Sequence, residues 1–154
     1  MPWRSTVPPT DAGGRPTPRR ADYKVFYPIT TRWSDNDIYG HVNNVVYYAY
    51  FDTAVNRFLI EEGGLRPGED TVVGYVVNSS ANYFRPVTHP AELELGLAIV
   101  RLGSKSVTWE VGVFLSGDTE TRVTGQFTHA FVDRSSEQSA AIPAPIRTAI
   151  ETLL

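Results

Sequence analysis

The sequence predicts an α+β domain in which a curved antiparallel sheet wraps around one long central helix. Three observations carry this expectation. The stretch from about Asn44 to Glu62 reads as a single helix, and its first two turns, Val45 to Phe51, are apolar on every side; a helix that lacks a polar face there is a buried one. Downstream, three stretches alternate apolar and polar residues with a period of two, the mark of strands with one buried face, and a fourth is dense in valine. The connectors Leu102-Gly103-Ser104 and Ser116-Gly117-Asp118 are short enough for hairpins. An antiparallel sheet with a single early helix must bury that helix against its concave face.

The elements follow in order. Residues 1–21 hold five prolines, two adjacent glycines and four arginines (Arg4, Arg15, Arg19, Arg20) with almost nothing that could enter a core, and read as a disordered, solvated tail. The domain is expected over residues 22–154. Tyr23 to Trp33, rich in aromatic and β-branched residues, suits a first strand. Ser34 to Asn43 gathers turn formers. The helix that follows is stopped by Gly63-Gly64, since glycine supplies the left-handed conformation at a helix end. Its polar residues Asp52, Thr53, Asn56 and Arg57 form one stripe. Thr71 to Val77 reads as a strand that continues, bent, through Phe84. Leu93, Leu95, Leu97 and Ile99 mark the next, Val107, Trp109, Val111, Val113 and Leu115 another, and Val123, Phe127 and Phe131 the last. A short helix is expected from Pro143, with proline at its start.

Composition narrows the function. The chain has 154 residues, 42% hydrophobic and 20% charged, with a net charge of −3, so nothing electrostatic points to nucleic acid or an anionic membrane as partner. It has no cysteine, which excludes disulfides, a thiolate nucleophile and cysteine-based zinc sites. No apolar run approaches the roughly 18–20 residues that span a bilayer, and the first residues lack the apolar core of a secretory signal. A cytoplasmic location is the resulting expectation.

The densest cluster of reactive side chains is Trp33-Ser34-Asp35-Asn36-Asp37-Ile38-Tyr39-Gly40-His41-Val42-Asn43-Asn44, between the first strand and the start of the buried helix. A helix N-terminus offers unpaired backbone N–H groups and roughly half a positive charge. Aimed at a substrate carbonyl, those groups would stabilise the oxyanion formed on attack, and they favour an ionised carboxylate nearby as base or nucleophile. Gly40 would let the backbone approach a ligand closely. Asn43 suits a plain helix cap equally well, and Asp35 and Asp37 suit turns and caps.

Arg32-Trp33-Ser34-Asp35 followed by Asp37-Ile38-Tyr39-Gly40-His41-Val42-Asn43-Asn44 resembles the active-site segment of hotdog-fold acyl-CoA thioesterases of the 4-hydroxybenzoyl-CoA thioesterase-like family, and also that of plant acyl-ACP thioesterases. The resemblance implies a hotdog fold that hydrolyses acyl-CoA or acyl-ACP thioesters without a metal or organic cofactor. It implies Asp37 as base or nucleophile and the backbone N–H of Asn44 as the group that polarises the thioester carbonyl. In the acyl-ACP relatives a histidine matching His41 assists, with an asparagine two residues before it; that position is Tyr39 here, so the Asp-Asn-His set is incomplete. The resemblance further implies a homodimer or homotetramer whose sites are built across a subunit interface. Tyr39, Gly40, Val42 and Asn43 are expected beside the substrate.

Other readings are weaker. Asp35-x-Asp37 ahead of Gly40 is similar to the start of a calcium loop, but Tyr39 and Val46 stand where ligands are needed. His41, His89 and His129 lack the spacing of a metal site. His129 reads as a buried sheet or interface residue, and His89 as a loop residue. Arg85, and Ser104-Lys105-Ser106 in a hairpin, have the chemistry to contact CoA phosphates. The alternatives to a thioesterase are a non-catalytic acyl-CoA-binding hotdog protein and a hotdog dehydratase or hydratase, whose Asp-x-x-x-x-Asn-x-x-His pattern is missing from the sequence.

Overall fold

The structure, a computed structural model, describes residue 10 and residues 13–154. The strands are β1 (Val25–Thr30), β2 (Val72–Tyr83), β3 (Glu92–Leu102), β4 (Ser106–Leu115), β5 (Val123–Asp133) and the short β6 (Gln138–Ser139); the helices are α1 (Val46–Glu61) and α2 (Ala144–Glu151). All pairings are antiparallel, in the order β1-β3-β4-β5-β2, with β6 added to β5. This is the expected order of strand, helix and four further strands, and α1 ends ahead of Gly63-Gly64 as expected. The bend foreseen in β2 is a register shift between Val76 and Asn78, where an extra residue lets the strand curve.

The inner face of the sheet and α1 share one core. Tyr47, Tyr50, Phe51, Ala54, Val55, Phe58 and Leu59 of α1 are buried against Leu93, Leu95 and Leu97 of β3, Trp109 and Val111 of β4, and Phe127 and Phe131 of β5. Phe58 meets Trp109 edge to face at 5.6 Å, and Phe51 meets Phe127 likewise at 5.8 Å. The helix comes this close because Gly125 stands opposite Phe51, where a Cβ would overlap the ring. Burying each aromatic side chain contributes about 1.5–3 kcal/mol. The sequence reading made α1 a buried helix, apolar on every side of its first two turns; within this chain one face is covered, and Val45 just ahead of α1 remains 64% exposed. The sheet wraps a single side of the helix, so the apolar residues of the other side need a cover from outside the chain or stay in water.

The expectation of a tail through residue 21 needs correction where the chain is described. Residues 1–9, 11 and 12, Arg4 among them, lie outside the described residues. Pro18 to Tyr23, by contrast, lie along the outer face of the sheet. Thr121 Oγ1 donates to the Pro18 carbonyl, Arg20 N donates to Thr119 O at 3.3 Å, and Arg20 Nη1 meets Glu94 Oε2 at 2.8 Å. The Arg20 guanidinium stacks 4.3 Å from the centre of the Phe26 ring. Tyr23 fills a notch left by Gly96 and Gly112, which face each other across β3 and β4, and packs edge to face on Phe114 at 5.6 Å. The arm is ordered by a second apolar layer on the face that alternation alone marks as wet.

Candidate active site

The candidate loop leaves β1 and enters α1 through three local devices. Asp35 and Arg32 close a 3-10 turn reciprocally: Arg32 N donates to Asp35 Oδ2 at 2.8 Å, and Asp35 N donates to Arg32 O at 3.0 Å. Asp37 closes a second turn. Its Oδ1 accepts from Tyr39 N at 2.8 Å and its carbonyl accepts from Gly40 N at 3.1 Å. Gly40 then turns back with φ of +82°, a conformation costly for any residue with a Cβ. Asn43 closes the third turn, with its Oδ1 accepting from Val45 N at 3.1 Å and its carbonyl from Val46 N at 3.0 Å.

Asp35 anchors this loop from within. The side chain is 1% exposed and takes a hydrogen bond from Tyr50 Oη of α1 at 2.5 Å and another from Arg32 Nε at 3.1 Å. Burial pushes its carboxyl up, but the Tyr50 hydroxyl, the Arg32 backbone and the Arg32 guanidinium outweigh that and hold it below the ordinary carboxylate value. The structural role expected for Asp35 is what the structure places there. The loop is also tied to the segment after β2. Val42 N donates to Val87 O at 2.8 Å, His89 N donates to Asn36 Oδ1 at 3.0 Å, and Thr31 Oγ1 meets His89 Nδ1 at 2.9 Å.

These ties create an open cleft of about 390 Å³, walled by Asp37, Tyr39, His41, Val42 and Asn44 on one side and by Tyr83, Phe84, Arg85 and Pro86 on the other, with Tyr47 at its floor. Asp37 also borders a neighbouring cleft with Trp33, Asn36, Ile38, Tyr39 and Asn43. The Asp37 carboxylate keeps a loose contact, 3.4 Å, from Asn43 Nδ2. Asn44 sits two residues ahead of α1; its carbonyl accepts from Tyr83 Oη at 3.1 Å, while its backbone N–H has no acceptor among the described residues. Burial pushes the Tyr47 phenol up to about 12, so it stays protonated at neutral pH.

Of the sequence candidates, Asp37, Tyr39, His41, Val42, Asn44 and Arg85 therefore share one cleft. Asn43 lies in the neighbouring cleft and closes the turn just ahead of α1 through Val45 N, and Gly40 shapes the turn without lining either cleft. Ser104, Lys105 and Ser106 are not brought to this site within the chain. Their hairpin pairs with β5 at Ala130, whereas the cleft lies where Tyr83 pairs with Val123, seven residues and roughly 23 Å away along the strand. Lys105 Nζ there contacts Ser139 Oγ at 3.1 Å. The sequence reading placed no site role on Tyr83, Phe84 or Pro86; their place opposite Asp37 depends on the β2–β5 register, which no local pattern encodes.

A family model described as the thioesterase-like superfamily matches residues 31–150. The chain belongs to the thioesterase-like superfamily. The PA5185 protein of Pseudomonas aeruginosa strain PAO1 is 53% identical, with 90% of this chain and 96% of that one aligned at a TM-score of 0.87. Slr0204, a 1,4-dihydroxy-2-naphthoyl-CoA thioesterase from Synechocystis, aligns over 83% of this chain and 96% of its own at a TM-score of 0.75; at 18% identity that likeness is one of fold. YsmA, an uncharacterized protein of Bacillus subtilis (strain 168), is 25% identical over 89 residues, and the match spans 60% of its length. This member of the superfamily has the hotdog architecture expected from its sequence, a curved antiparallel sheet around a central helix. No helix among its described residues is long and apolar enough to cross a membrane.

Proposed function

We propose that this thioesterase-like protein hydrolyses acyl-CoA thioesters to the free acid and CoA. The observation that carries the reading is that Asp37 and Asn44 line one cleft, with no acceptor for the Asn44 N–H among the described residues, two residues ahead of α1. A thioester carbonyl set against Asn44 N–H would develop its negative charge beside a donor and the positive end of a helix. Asp37 would take the proton of an attacking water, or attack the carbonyl itself to form an anhydride that water then hydrolyses; in either case the thiolate of CoA would leave and pick up a proton. His41, on the same wall, is within the cleft to assist that transfer. Arg85 supplies a cation for the carrier's phosphates.

The enzyme is further proposed to work as a homodimer or homotetramer. Support comes from β2, a 12-residue strand at the edge of the sheet whose Tyr75, Val76 and Val77 are exposed. An open strand edge of this length with exposed apolar residues invites pairing with another chain unless something covers it.

The test is thiol release from short, medium, long and aromatic acyl-CoAs by the wild type and by Asp37→Asn. That substitution keeps the shape and removes the basicity, and a loss of about a hundredfold or more is expected from general-base or nucleophilic catalysis. A folded wild type that releases no thiol from any acyl-CoA would overturn the activity. Full turnover by Asp37→Asn would overturn the residue.

A further inference from the structure

Phe84, Arg85 and Pro86 form the far wall of the catalytic cleft, just beyond the end of β2, and all three are tied to one residue. Arg122, immediately ahead of β5, accepts on its carbonyl from Phe84 N at 2.9 Å and from Arg85 N at 3.1 Å. Its guanidinium donates through Nη1 to Pro86 O at 3.4 Å and meets Asp118 Oδ2 through Nη2 at 3.5 Å. Arg122 does not itself line the cleft. The N-terminal arm in turn holds the connector between β4 and β5 that carries Arg122. Arg20 donates to it twice, from N to Thr119 O and from Nη1 to Asp118 O, each at 3.3 Å. Arg19 pairs with Glu120 as an antiparallel bridge, and the buried Thr121 hydroxyl donates to the Pro18 carbonyl. Asp118 is thus both an acceptor for the arm and the ion partner of Arg122. These arm residues lie ahead of the segment matched by the family model.

We propose that the arm braces the far wall of the cleft, and that Arg122 is the positioning residue through which it acts. This role rests on the hydrolase reading above and goes beyond it, because it gives the arm and Arg122 a part in holding the substrate. An ion pair between Arg85 and Glu120 joins the same segments, but both side chains are about half exposed. Such a pair contributes little, so the hydrogen bonds of Arg122 and Thr121 carry the link. Tyr83 is fixed separately, by its pairing with Val123 in the sheet. Loss of the brace therefore loosens residues 84–86 and leaves the Asn44 donor in place. The consequence is a higher KM at nearly unchanged kcat. A variant that merely folds less well loses active molecules, which lowers the apparent kcat and leaves KM alone.

The full-length chain is tested as wild type, Thr121→Val, Arg122→Lys and the double variant, on the acyl-CoA that the wild type hydrolyses best. Lysine keeps the charge of Arg122 but lacks the fork that reaches Pro86 O and Asp118 together. From the usual worth of one hydrogen bond, Arg122→Lys is expected to raise KM about fivefold and Thr121→Val about threefold, with kcat within about twofold. The double variant should match Arg122→Lys alone, because both changes cut one path. Hydrogen exchange followed by NMR should quicken at the Phe84 and Arg85 amides in Thr121→Val and stay unchanged within the β4–β5 pairing. Arg20→Met, which releases Asp118 O, repeats the test should Thr121→Val fail to fold. The brace is overturned if Thr121→Val and Arg20→Met leave KM at its wild-type value, if the two amides exchange no faster, or if the effects of Thr121→Val and Arg122→Lys on KM add. Faster exchange at those amides in a chain that releases no thiol would support the brace and defeat only the hydrolase reading.

Discussion

Tyr50 Oη donates to Asp35 Oδ2 at 2.5 Å, joining the second turn of α1 to the base of the loop that carries Asp37. The two residues are 15 apart in sequence and both buried, so the bond fixes how the loop leaves the helix rather than merely decorating it. Asp35 O also accepts from Asn43 N at 2.9 Å, so the same residue grips both ends of the loop.

Tyr50→Phe removes that hydroxyl while keeping the ring that meets Tyr47. A buried carboxylate left one hydrogen bond short costs about 2 kcal/mol. Urea denaturation at pH 7 is expected to show a loss of that order. The held-down Asp35 carboxyl contributes stability that is full above its ordinary value of 3.8 and is lost as pH falls below that through the lowered value it has in the folded protein. The variant should therefore lose less on acidification than the wild type. Equal stability of the two proteins at neutral pH would mean that the bond contributes nothing.

Tyr83 reaches from the end of β2 to the Asn44 carbonyl. In Tyr83→Phe the start of α1 loses one anchor, worth about 1 kcal/mol, which is about fivefold in rate if it is spent on orienting the Asn44 N–H. Steady-state kinetics should show this in kcat, with KM and thermal stability nearly unchanged. A change confined to KM would place Tyr83 in the wall and not in the positioning of the donor.

His129 is 2% exposed on the inner face of β5, where Trp109 Nε1 donates to its Nδ1 at 3.2 Å. Burial holds its imidazole below the ordinary value of 6.5, with Asp52 on α1 pulling the other way. The unfolded chain then binds the proton more readily than the folded one. Its contribution is a stability that is full above about 6.5 and falls as the pH drops below it. His129→Gln keeps an acceptor for the indole and removes the titration. Denaturation at pH 5 and pH 7.5 should show a smaller difference in the variant, and an unchanged difference would assign the dependence to other groups.

A lysine at Val77, 62% exposed on the β2 edge, would set like charges against each other in any pairing of two such edges. Sedimentation should find the wild type as a dimer or tetramer and Val77→Lys as a monomer with the same circular dichroism. A monomeric, active wild type would dispose of the proposed assembly.

The sequence by itself determined the elements and the chemical character of the loop. The period of two in β3 to β5, the apolar first turns of α1 and the Gly63-Gly64 stop are local signals, each set by neighbours a few residues away. The turn formers between Ser34 and Asn43 likewise announced a structured bend holding Asp37 before a helix start. Only the tertiary structure decided what faces that bend. Arg85 and Tyr83 stand across the cleft because β2 pairs with β5 in one register, and the separate β4–β5 register carries the hairpin of Ser104, Lys105 and Ser106 to the far end of the sheet. Pro18 and Arg20, in the stretch read as a tail, are held by Thr121, Thr119 and Glu94, and Tyr23 just after it fills a notch left by Gly96 and Gly112, all far away in sequence. Side-chain periodicity reports which face of an element is apolar; which remote residue fills the space above it depends on strand register and packing, and those are properties of the assembled chain.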